Sequence, residues 1–166
     1  QTCALPIFVG SLVGPTEDLT VAVLTGAALS SVDLSVSTLT NVKSGGITGD
    51  GSTTLPTNWQ LIEGYLLGPG ADLTGAVLTG ATLTNATLTN ATLSGATLTN
   101  VKSGGLRGDG RTTLPTNWQL IAGYLIGPGA ELTGGVLTGA TFTSATLTAA
   151  TPSGASLTAV QYTRRV

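Results

Sequence analysis

The chain has 166 residues, 41% of them hydrophobic and only 8% charged, with a net charge of −2. That balance excludes a strongly basic nucleic-acid binder and does not fit a disordered polyelectrolyte, which is poor in aliphatic residues. There is no His, the one thiol is Cys3, and no stretch approaches the roughly 20 apolar residues of a membrane helix.

The chain opens with a segment, 1–7, that does not fit the rest. It reads QTCALPI, resembles the translation of a sequencing adapter, and is expected to be a non-native scar. Without any Met, the chain is expected to be processed or a piece of a longer protein. Residues 8–166 then read as a single repetitive domain, in which a five-residue period alternates with a longer one.

The first block, 17–42, carries Leu19, Leu24, Leu29, Leu34 and Leu39 at intervals of five. The second, 71–101, carries Leu73, Leu78, Leu83, Leu88, Leu93 and Leu98, and the third, 130–160, carries Leu132, Leu137, Phe142, Leu147, Pro152 and Leu157. Two residues before a spine position the side chain is usually small, as at Ala71, Ala76, Ala81 and Ala86. A period of five is neither the 3.6 of a helix nor the 2 of a flat strand. It fits a short extended segment that buries Leu and the preceding small residue, then turns about a right angle. Four such segments predict a square coil of roughly 20 residues, stacked about 4.8 Å from the next. Gly or Asn at the fifth position suits a corner that needs positive φ.

Between the blocks lie two modules, 42–70 and 101–129. The string TTLPTNWQLI occurs at 53–62 and again at 112–121, a period of 59. Each module begins Gly-rich, with turns expected at Asp50-Gly51 and Asp109-Gly110, and continues as an apolar stretch, 59–67 in the first copy, that reads as strand. Each is expected to be a widened coil with a loop excursion. Trp59, Tyr65, Trp118 and Tyr124 are read as its anchors, facing protein and not a sugar.

Runs such as 81–90, ATLTNATLTN, resemble the pentapeptide-repeat family, whose pattern is Ala, Asp or Asn, Leu, then two variable residues. The resemblance covers the three blocks and implies a right-handed quadrilateral parallel β-helix. Thr replaces Asp at most second positions here, which removes negative charge from the surface. The family is known for architecture, so the resemblance implies little about activity.

No catalytic, cofactor or metal site is expected. Without His there is no Ser-His pairing, and nothing pairs the eight acids. The Gly45–Asp50 stretch lacks the second glycine of a calcium-binding nonapeptide, since Thr48 holds that slot, and is read as a turn. Arg107-Gly108-Asp109 spells an adhesion tripeptide, but the other copy has Thr48, so the module does not depend on the arginine.

The expected function is a non-catalytic structural or protein-interaction module. It is expected in a secreted or surface-exposed bacterial protein, with an unknown protein or surface partner and a tendency to associate end to end. Ice binding by outward Thr-x-Thr pairs is the alternative. A DNA-mimic inhibitor of a topoisomerase is the third reading, and eight acids against six bases disfavour it.

Overall fold

The computed structural model describes residues 16–143, 146–156, 158 and 161–163. Segment 1–7 and Leu157 lie outside them. The described chain is all-β, with no helix.

Its regular part consists of short extended segments joined by tight turns. Leu73 and Ala76 close one such turn through a 3.0 Å bond from Ala76 N–H to the Leu73 carbonyl. Gly75, third in that turn, has φ 71°. Gly80, Asn85, Asn90, Gly95 and Asn100 occupy the same place in the following turns, all with positive φ. Positive φ at the third turn residue is the type II requirement, which Gly and Asn meet at least cost.

Segments pair in parallel with others one layer away. The middle block pairs Asp72 with Thr92, Val77 with Thr97, Thr82 with Lys102 and Thr87 with Arg107, every pair 20 residues apart. Strand β5 (Thr141–Thr143) pairs with β6 (Gln161–Thr163) at the same step. The ladder is regular: Leu73 N–H donates to the Thr92 carbonyl at 2.8 Å, and Thr92 N–H donates to the Ala71 carbonyl at 2.9 Å. Two pairs, Asp33 with Thr54 and Thr92 with Thr113, are 21 apart, so one extra residue enters each module before its Leu-Pro. Lys43 with Asp72 and Lys102 with Glu131 are 29 apart, because a whole module intervenes.

The spine leucines from Leu19 to Leu39 and from Leu73 to Leu98 are buried, as are Leu132, Leu137 and Phe142. The alanines from Ala71 to Ala96 are buried beside them. The spine does not continue to the end of the third block as expected. Leu147 is 37% exposed and Pro152 is exposed. The physical reason is stacking: among the described residues none lies one 20-residue step beyond Leu147 to cover it.

The modules are not single strands. In the first, β1 (Gln60–Ile62) and β2 (Tyr65–Leu67) form an antiparallel hairpin with Leu61 opposite Leu66 and Ile62 opposite Tyr65. In the second, β3 (Gln119–Ile121) and β4 (Tyr124–Ile126) repeat it. Glu63 and Gly64 turn the first hairpin with φ 49° and 76°, and Ala122 and Gly123 turn the second with 50° and 81°. Two consecutive positive φ values make the tight turn whose twist suits a two-residue hairpin.

Each hairpin packs against the apolar interior, its first strand half-buried and its second mostly buried, with Glu63 and Ala122 exposed at the turns. Successive strand side chains point to opposite faces, and here the two faces meet different parts of the core. Leu61 and Leu66 pack with the first block's leucines, while Ile62, Tyr65 and Leu67 pack with the middle block's. In the second hairpin Leu120 and Leu125 face the middle block, and Ile121, Tyr124 and Ile126 face the third.

Candidate functional site

The two modules are where the repeat departs from its five-residue rule, so they are the natural place to look for a site. Their polar groups serve the fold. The hairpin displaces a rung, and other donors and acceptors replace the lost pairings. Val77 N–H, which would otherwise reach a carbonyl of the preceding layer, donates to the Tyr65 hydroxyl at 3.1 Å. Val136 N–H donates to Tyr124 at 3.0 Å. On the other side of the hairpin, Ile47 N–H donates to the Gly64 carbonyl and Leu106 N–H to that of Gly123, both at 3.0 Å. Ser44 Oγ accepts Leu66 N–H at 2.9 Å, and Ser103 Oγ accepts Leu125 N–H at 3.0 Å.

These replacements explain the Lys-Ser-Gly-Gly string that recurs at 59. Ser44 is the buried acceptor, and Gly45 makes room for the Tyr65 ring, since a Cβ there would sit 3.1 Å from its Cε1. The sequence reading places this stretch only as the Gly-rich start of each module and gives the serine no role. Its only signal was repetition beside an aromatic residue far along the chain.

Trp59 and Trp118 are half-buried. Trp59 lies against Gly68, occupying the space a side chain there would need, and Trp118 lies likewise on Gly127. Trp59 touches the first and middle parts of the core, and Trp118 the middle and third. They therefore sit at seams with one side open, less enclosed than a core aromatic.

The carboxylates serve turns. Asp18 accepts Thr20 N–H at 3.0 Å, Asp72 accepts Thr74 N–H at 3.0 Å, and Glu131 accepts Thr133 N–H at 2.8 Å. Asp33 accepts Ser35 N–H at 2.9 Å and the Thr54 hydroxyl at 2.5 Å. Asp50 holds its loop through Ser52 N–H at 3.0 Å and the Ser52 hydroxyl at 2.5 Å. Hydrogen bonds to the ionised form lower a carboxyl pKa. The Thr20 bonds lower that of Asp18, the Thr54 hydroxyl that of Asp33 and the Ser52 hydroxyl that of Asp50. Glu131 is lowered chiefly by Thr133, with a smaller contribution from the positive charge of Lys102. A general acid at neutral pH needs the opposite shift.

Asp109 bears on the adhesion tripeptide. Its Oδ1 accepts N–H bonds from Asn90 at 3.0 Å, Arg111 at 3.1 Å and Thr112 at 3.0 Å, and the Asn90 bond leads in lowering its pKa. That oxygen is engaged by its own loop and by Asn90 of the neighbouring coil. Among the described residues no group of three or more His, Cys, Asp or Glu gathers as a metal site.

Among the described bridges, the threonines just before the spine leucines do not form long files. Thr97 stacks on Val77, Thr82 on Lys102 and the buried Thr87 on Arg107. Thr92 stacks between Asp72 and Thr113, the longest threonine contact among these pairs.

No curated protein and no solved structure matches the chain. A family model described as pentapeptide repeats (8 copies) matches residues 70–102. The matched segment holds the six middle-block leucines, and it is this stretch of the chain that is similar to that family's repeats.

Proposed function

We propose that the chain is a rigid, non-catalytic rod: a right-handed, four-sided parallel β-helix that serves as a structural or protein-interaction element of a larger secreted or surface bacterial protein. The observation that carries the reading is the parallel pairing at 20-residue steps over a five-residue turn period, which amounts to four sides per coil. The carboxylates support it, because those with a shifted pKa are held ionised by turn hydrogen bonds. Low charge and a Thr-rich surface fit a spacer or a contact surface outside the cell.

Neither rival gains support. A DNA mimic needs a dense negative surface, whereas Lys43 stacks against Asp72 and Lys102 against Glu131. An ice-binding face needs long flat threonine files, and the files just before the spine leucines are broken by Val77, Lys102 and Arg107. The test is a thermal-hysteresis measurement alongside a DNA-supercoiling assay and small-angle scattering. The rod reading predicts an elongated particle inactive in both assays. Hysteresis or supercoiling inhibition would replace it, and a globular scattering profile would remove it.

A further inference from the structure

We infer that each hairpin is an internal cap that closes the core on one side and restarts it on the other, so that the molecule unfolds block by block. The inference deepens the rod reading and rests on it for the stacking of successive coils.

In a solenoid each repeat touches only its neighbours, and an open end needs a cap because it exposes apolar side chains. A hairpin with two apolar faces meets that need inside the rod. Leu61 and Leu66 cover the first block's core, and Ile62, Tyr65 and Leu67 begin the middle one. The interior accordingly divides into three clusters with boundaries at the hairpins. Backbone pairing thins at the same places. Inside the middle block four successive segments pair directly with the next layer, from Asp72–Thr92 to Thr87–Arg107. Across the first hairpin the direct parallel bridge among the described residues is Lys43–Asp72, and across the second it is Lys102–Glu131. Elsewhere at the seam the hairpin supplies the partner, through the Gly64 carbonyl on one side and the Tyr65 hydroxyl on the other. The hairpin's own pairing is local, so it can persist on one block while the other opens.

Adjacent residues on β2 provide the test, because Leu66 and Leu67 belong to different blocks. Amide hydrogen exchange in the full chain would be read at Leu29 and Leu34 for the first block and at Leu83 and Leu93 for the middle one. Leu66→Ala should reduce protection at Leu29 and Leu34 by more than about thirtyfold while Leu83 and Leu93 change by less than about threefold. Leu67→Ala should do the reverse. The milder Leu66→Val and Leu67→Val ask the same question if an alanine variant folds poorly. Equal loss at all four amides with either residue, or collapse of the whole chain by each variant, overturns the inference. A cysteine pair 20 residues apart, Val77→Cys with Thr97→Cys, separates this failure from that of the rod. If the pair cross-links and protection still falls uniformly, only the partition is wrong.

Discussion

Val21 is a β-branched residue at a turn corner with φ 57°, a conformation that crowds its side chain. Neighbouring corners use Gly26, Gly75 or Asn85 for the same geometry. Replacing Val21 with Asn should therefore raise stability by about 0.4–1 kcal/mol, read as a shift in the thermal melt. The spine leucines behave oppositely. Leu88 is fully buried, and Leu88→Asp would place an unpaired carboxylate there, so cooperative melting of its block should be lost. Acid should also weaken the fold. The folded-state pKa values of Asp18, Asp33, Asp50, Asp109 and Glu131 lie below their ordinary values. Their contribution is thus complete above the unfolded value of about 4 and is lost as pH falls through the folded values. With no histidine, the melting temperature should be flat between about pH 5 and 8 and drop below about pH 4. A melt that loses stability between pH 8 and 5 would contradict this assignment. At this scale the sequence was most legible where one residue type repeats in phase, as from Leu73 to Leu98. It was least legible at Ser44 and Tyr65, whose partners lie 22 and 12 residues away.

The hairpins mark the limit of pattern reading at the scale of elements. The stretch from Trp59 to Leu67 looks like one strand because it is almost continuously apolar, and its turn residues, Glu63 and Gly64, lack the Asn-Gly or Asp-Gly signature. The continuous hydrophobicity has a physical cause: both hairpin faces meet core. Tyr65→Phe keeps the ring and removes the acceptor of the exposed Val77 N–H, so it should cost about 0.5–1.5 kcal/mol in a chemical denaturation curve. Trp59→Ala removes a half-buried ring that touches two core clusters. It should cost about 2–4 kcal/mol, at or somewhat below the range for a fully buried aromatic. A glycan-binding screen on the same variant separates anchor from sugar platform. An unchanged melt with lost sugar binding would show that the ring serves a ligand.

At the scale of the whole molecule, the period of five and the larger period of 59 together predict most of what is seen: parallel layers at 20-residue steps, interrupted twice at equivalent places. What periodicity did not convey was the exposure of Leu147 near the end of the third block, where no described residue stacks one step beyond it. The account's central claim is the 20-residue parallel step, and disulfide trapping tests it most directly. In a Cys3→Ser background, Val77→Cys with Thr97→Cys places two thiols on directly paired segments, within the roughly 4.4–6.8 Å Cα separation a disulfide accepts. Val77→Cys with Thr87→Cys, only 10 residues apart, places them on opposite sides of one coil. Mild oxidation should cross-link the first pair nearly completely and leave the second reduced; equal cross-linking of both, or of the second alone, would contradict the coil.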